Sequence, residues 1–361
     1  MSTNEKKHII NLELIDFTKE PMFFGKQLNL QRYDKLKNPI FYDLYLKQLS
    51  FSWRPEEVDI QLDRSNFIKL TEQEKFIFTK NLSYQILLDS IQSRGIKHIT
   101  EYTSNPEIEL FGSAWQYFET LHSYSYSYII KNIYSNPSDV FDNILKDEEI
   151  IKRTTSVTSY YDELINSLSD ESDYEKRKKL YLTIMSINIL EGIRFYVSFA
   201  CSFAFAENKK MEGNAKIIKL ISRDENCHLA GTQKLLMLLR NNESEGFQEV
   251  IKDCEDIVIK MFSDAANEEM EWAKYLFEGG SMLGLNAELL IKYMKHLTNR
   301  RMKTIGLKPL FEQTQNPLTW MNNWTGGSNV QEAPQETEKT SYVVGSFKQD
   351  LDNTDFGGFT F

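Results

Sequence analysis

Several segments of this chain carry one acidic or imidazole residue where helical periodicity leaves only apolar neighbours. Burying a charged side chain is costly unless something pairs with it, so this pattern narrows the available folds more than any other feature. Asp89 sits in Ile86-Leu87-Leu88-Asp89-Ser90-Ile91, and Glu191 in Ile187-Asn188-Ile189-Leu190-Glu191-Gly192-Ile193. Two further apolar-periodic segments carry Glu-x-x-His, as Glu119-Thr120-Leu121-His122 and Glu225-Asn226-Cys227-His228. At about 100° per residue, positions i and i+3 share a helix face, so a carboxylate and an imidazole there can grip one ion together.

The spacing alone is weak evidence, since Glu5-Lys6-Lys7-His8 also matches it, in a polar stretch without an apolar face. A single helical Glu-x-x-His is ordinarily a surface pair or a satisfied core histidine. Asp89 or Glu191 alone would read as half of a buried ion pair, with Arg194 an available partner for Glu191. The whole set says more. One carboxylate on each of two helices, with Glu-x-x-His on each of two others, is the ligand pattern of di-iron and di-manganese carboxylate bundles. Asp89, Glu119, Glu191 and Glu225 bring four negative charges, which two divalent cations neutralise, and His122 and His228 add one nitrogen donor per ion. That donor set suits iron or manganese better than thiolate-seeking metals. Cys227 is directed about 100° away from His228 and reads as a core thiol.

Tyr126 follows His122 by four residues, about 40° round the same face and one turn along, within reach of such a metal pair. A buried phenol beside an oxygen-activating pair can give up one electron and one proton, provided water and reductants are excluded. Without the metal ligands, Tyr126 would be one more core aromatic in a chain with 18 Tyr. Phe195, Phe199 and Ile221, on the segments carrying Glu191 and Glu225, are candidates for the inert wall around it.

Helical signals run from about residue 39 to 305 and no linker divides them, so one all-α domain is the economical reading of 361 residues. Thr71-Glu72-Gln73-Glu74 is a capping box opening a helix that Gly95 is placed to end. Helices are also expected over 106–133, 147–168, 176–206, 215–240, 247–277 and 286–305. After Trp324 regularly spaced apolar residues give out. We expect a helical domain over 1–324 and a flexible tail over 325–361, whose terminal Phe356, Phe359 and Phe361 suit a docking peptide. With 42 Lys+Arg against 52 Asp+Glu the net charge is -10, which argues against nucleic acid as a partner. Three cysteines without a CxxC pair, and the lack of a signal core or a charge-free apolar run of about 20 residues, suggest a cytoplasmic chain with no membrane partner.

The ligand constellation with Tyr126 and five further segments resembles the small, radical-generating subunit of aerobic class I ribonucleotide reductase, most nearly the class Ia form of enteric bacteria and their phages. These segments are Asn29-Leu30-Gln31-Arg32-Tyr33-Asp34, Trp53-Arg54-Pro55-Glu56-Glu57-Val58, Leu87-Leu88-Asp89-Ser90-Ile91-Gln92, Arg194-Phe195-Tyr196-Val197-Ser198-Phe199 and Met211-Glu212-Gly213-Asn214-Ala215-Lys216. The likeness runs from about residue 21 to the C-terminus. It implies a ferritin-like bundle with additional helices, a homodimer, two iron ions per chain with manganese as the alternative, and a stable radical on Tyr126. It further implies that Trp53, its hydrogen-bonding partner Asp224 and the tail residue Tyr342 relay the radical to a separate large subunit that reduces ribonucleoside diphosphates for DNA synthesis. The tail would dock on that subunit. Two departures stand out: a short connection between Leu168 and Lys176, and Asn226-Cys227 where apolar residues are common. Rival readings are a di-iron oxidase or ferroxidase with its own substrate, and a non-enzymatic helical scaffold or iron store.

Overall fold

The computed structural model describes residues 9–325 except 169, 313 and 314. Among these residues the architecture is all-α, and the β pairing seen is confined to the isolated bridges Phe23–Thr103 and Met282–Leu285. The tail beyond Thr325, including Tyr342, lies outside the described residues.

Local sequence sets where the long helices begin. Helix α1 (Pro39–Ser50) and short α2 (Gln61–Lys69) precede α3 (Glu72–Thr100). At the start of α3, the Thr71 hydroxyl accepts from the Glu74 N–H at 3.2 Å and the Glu74 carboxylate accepts from the Thr71 N–H at 2.9 Å, a closed capping box. Helix α4 (Pro106–Ile133) opens with Pro106 in its first turn and the Asn105 side chain accepting from Ile108 N–H at 3.0 Å. Helices α5 (Pro137–Ile144) and α6 (Glu148–Ile165) lead to α7 (Asp173–Ile189), α8 (Tyr196–Glu207) and α9 (Glu212–Asn241). The start of α9 needs outside help because Met211 takes the left-handed φ of 52° and makes no side-chain cap. Asp63 of α2 replaces the cap, accepting from Gly213 N–H at 3.1 Å and Asn214 N–H at 2.5 Å. Helices α10 (Gln248–Asp253), α11 (Glu255–Leu276), α12 (Ala287–Thr304) and α13 (Asn322–Thr325) complete the described chain.

Helices α3, α4, α7–α8 and α9 pack against one another around a continuous apolar core, with α11 and α12 covering the α7–α8 rod. Asp173–Glu207 is long and apolar enough to cross a membrane, but its apolar window is wholly buried inside the molecule, as befits a core rod. The rod is not a single α-helix as its sequence suggests. Leu190–Arg194 forms a π-helical turn, one residue wider than the α-helix on either side. The expected 247–277 helix is likewise two, broken at Cys254.

Gly95 does not end α3, which continues for more than a turn beyond it. Its role is close approach: a Cβ there would lie 2.3 Å from Cζ of the buried Tyr161 on α6. Gly95→Ala should therefore destabilise the protein by about 1–3 kcal/mol in denaturant melts, the overpacking outweighing the gain in helix propensity of about 1 kcal/mol. A variant as stable as the parent would show that Tyr161 is free to move aside.

Candidate metal centre

The six candidate ligands come from different turns of the packed helices. Asp89 projects from α3, Glu119 and His122 from α4, Glu191 from the π-turn, and Glu225 and His228 from α9. All six are buried, and they converge. His122 Nδ1 lies 2.9 Å from a Glu225 oxygen, 3.8 Å from Glu119 and 3.9 Å from Asp89. His228 Nδ1 lies 2.8 Å from the other Glu225 oxygen and 3.1 Å from Glu119. Two groups of potential ligands result, Asp89-Glu119-His122-Glu225 and Glu119-Glu191-Glu225-His228, each with donor atoms within 4.8 Å of one another. Glu119 and Glu225 belong to both, so they could bridge two ions.

Buried polar atoms are normally hydrogen-bonded, and here a whole group is not. Both Asp89 oxygens, one oxygen each of Glu119, Glu191 and Glu225, and His122 Nδ1 have no hydrogen-bond partner of normal geometry. These atoms converge on the same space, and their chemistry is that of an oxygen- and nitrogen-rich dimetal site. The donor set fits the group.

Without ions the cluster must neutralise itself. Burial, reinforced by Glu225 and Glu119, pushes the Asp89 carboxyl well above the usual carboxylate range, and burial with Glu225 does the same to Glu191. Burial acts against the charged form of Glu225 too, but His122 and the surrounding hydrogen bonds prevail and hold it low. For His122 and His228 burial opposes protonation, yet the adjoining carboxylates raise both.

A second layer fixes the first. His122 Nε2 lies 3.3 Å from an Asp224 oxygen that also accepts from Trp53 Nε1 at 2.7 Å, and Arg223 holds the other Asp224 oxygen at 3.1 Å. The Trp53 ring stacks near His122, 6.4 Å between centroids. Trp115 Nε1 donates to Glu119 at 2.7 Å. Gln92 Nε2 donates to Glu191 at 2.6 Å, and Tyr161 O–H donates to the Gln92 carbonyl at 2.6 Å. Trp115, Gln92, Tyr161 and Arg223 had no role in the sequence reading. Trp115 stands one turn before Glu119 and Gln92 one turn after Asp89, so helical spacing could have found them; Tyr161 reaches in from α6 and left no such signal. Arg194, offered as a partner for Glu191, instead pairs with Glu268 at 2.8 Å and lies 3.9 Å from Glu269. Tyr126 is fully buried, and its hydroxyl has no hydrogen-bond partner of normal geometry. Burial and then the neighbouring Asp89 charge push its phenol well above the usual tyrosine range. Phe195, Phe199 and Ile221 are also fully buried, the two phenyl rings stacked at 5.6 Å.

The family described as ribonucleotide reductase, small chain, matches residues 31–317. The chain belongs to this family. It is 48% identical to the ribonucleoside-diphosphate reductase subunit beta of Buchnera aphidicola from Schizaphis graminum, covering 94% of this chain and 96% of that protein. It is also 48% identical to ribonucleoside-diphosphate reductase 1 subunit beta of Escherichia coli O157:H7, covering 95% and 96%. Among solved structures, the ribonucleotide reductase R2 subunit from Clostridium botulinum superposes with a TM-score of 0.80 at 29% identity, covering 89% of this chain and 98% of that one. The chain thus has the ferritin-like fold that the small-subunit resemblance implied, and the buried carboxylate–histidine cluster has the composition of a dimetal site.

Four of the clustered groups, Asp89, Glu191, His122 and His228, hold protons more tightly than usual when no ion is bound. Ions bind the deprotonated forms. Titrating Mn(II) into weakly buffered protein at neutral pH should therefore release protons, and the apparent affinity should rise with pH. Ion binding without proton release, read by pH-stat, would show that the groups are already ionised.

Proposed function

We propose that Asp89, Glu119, His122, Glu191, Glu225 and His228 hold two iron ions, and that Tyr126 bears the radical this chain contributes to ribonucleotide reduction. As a small subunit of ribonucleoside-diphosphate reductase, an oxidoreductase, the chain acts with a large subunit that converts ribonucleotides to deoxyribonucleotides. The observation that carries the radical assignment is the Tyr126 hydroxyl, buried beside Asp89 with no hydrogen bond of normal geometry. An iron pair together with dioxygen supplies the one-electron oxidant.

The protein's own residues control the fate of the proton and the electron. Because burial and Asp89 keep the Tyr126 phenol protonated, oxidation must remove a proton along with the electron. Phe195, Phe199 and Ile221, all fully buried, would be the inert wall that leaves a radical on Tyr126 few groups to react with. Trp53, bonded through Asp224 to His122, offers an oxidisable ring whose N–H already points at a proton acceptor. From there the route to the large subunit would pass through Tyr342, with the tail through Phe361 docked on that subunit. We further propose a homodimer in the cytoplasm, a reducing compartment in keeping with the three buried free thiols of Cys201, Cys227 and Cys254.

Electron paramagnetic resonance of protein reconstituted with Fe(II) and oxygen should show a tyrosyl signal that disappears in Tyr126→Phe while two metal equivalents remain bound. A persistent signal would place the radical elsewhere. Deleting Tyr342 to Phe361 should abolish large-subunit binding and leave that signal unchanged; an intact complex would remove the tail from the assembly. Metal quantification on protein from its native source decides between iron and manganese.

A further inference from the structure

The last described residue, Thr325, is joined to the turn that carries Glu191 by an unbroken series of hydrogen bonds. Its carbonyl accepts from Asn226 Nδ2 at 3.0 Å, and Asn226 is the residue after Glu225. The Asn226 carbonyl oxygen accepts from the Tyr196 O–H at 3.2 Å, and the Tyr196 oxygen accepts from Arg301 Nη2 at 2.6 Å. Arg301 Nε then donates to the Gly192 carbonyl at 3.1 Å, inside the π-turn and next to Glu191.

We propose that Asn226, Tyr196 and Arg301 form a strap through which the root of the C-terminal segment positions the turn carrying Glu191. They are positioning residues. A π-turn departs from the regular i→i−4 bonding, so it has a carbonyl for an outside donor to take, and Arg301 takes the one at Gly192. The guanidinium is a rigid planar fork, so a shift of the Tyr196 hydroxyl under one arm is felt at the Gly192 carbonyl under the other. The Arg301 stem lies flat on the missing side chain: a Cβ on Gly192 would be 3.3 Å from Arg301 Cγ. The guanidinium also sits over the Tyr196 ring, 5.1 Å from its centre. At the far end the root has its own seat. Trp324 stacks on Phe203 at 4.8 Å and donates to Glu207 at 2.8 Å, which fixes where Thr325 presents its carbonyl. A displacement of Thr325 would thereby be delivered to Asn226, beside one carboxylate of the site, and through the strap to the turn carrying another.

The proposal rests on the reading of the cluster as a metal centre, and its test separates the two. Anaerobic Mn(II) titrations of the full-length chain, read from the resonance of free Mn(II), would compare the wild type, Trp324→Ala, Tyr196→Phe and the double variant. Trp324→Ala unseats the root and Tyr196→Phe cuts the strap at its middle. Each should weaken binding by about tenfold, the low end of outer-shell effects, and the double variant should be no weaker than Tyr196→Phe alone. An unchanged affinity in Trp324→Ala, or effects that multiply in the double variant, would overturn the strap while leaving the metal centre intact. A wild-type chain that binds no Mn(II) would overturn both.

Discussion

Everything in this structure answers to the cost of placing four carboxylates in an apolar interior. Two like charges about 4 Å apart repel by about 4 kcal/mol at an effective dielectric of about 20, and a folded domain is stable by only about 5–15 kcal/mol. Asp89, Glu119, Glu191 and Glu225 crowd within one cluster, so their full ionisation without counter-charge would consume most of that margin. Protons provide one answer, held on Asp89, Glu191 and both histidines. Cations provide the other, and the unpartnered oxygens and His122 Nδ1 are already gathered for them.

The second layer makes that exchange specific. Three of the ligands are each held by a partner that engages one atom and leaves another free: Trp115 on one Glu119 oxygen, Gln92 on one Glu191 oxygen, Asp224 on the Nε2 of His122. A ligand oriented in this way loses little conformational freedom when an ion arrives. Asp224 does more than orient. Because it also accepts from Trp53 Nε1, the group that sets the tautomer of His122 is the one that ties an oxidisable ring to the site.

How much of this could be read from the sequence depended on whether a feature is local. The convergence of six groups was legible because four placements coincide, one carboxylate on each of two helices and Glu-x-x-His on each of two others. The capping box of Thr71 and Glu74, and the start of α4 at Pro106, were legible because both partners lie within one turn. Contacts between helices were not. Gly95 looks like a stop signal until Tyr161 is seen to fill the space above it. Asp63 caps α9 from a helix about 150 positions earlier, a link no window along the chain can contain. Arg194 looks like a partner for Glu191 one turn away, but the π-turn alters the register and directs it to Glu268 on α11.

That turn is also the place where the site can yield. Asp89, Glu119 and Glu225 stand on regular α-helices, whose every turn is braced by its neighbours, whereas Glu191 stands on a turn with weaker internal bonding. Two buried arginines anchor it from opposite directions: Arg194 reaches out of the turn to Glu268, and Arg301 reaches into it at Gly192. Breaking the Arg194–Glu268 ion pair would leave the buried Arg194 charge uncompensated, which makes that anchor hard to release. The wide turn is therefore stable only within the surrounding helices, and the orientation of Glu191 is a property of the whole α7–α12 assembly rather than of its own segment.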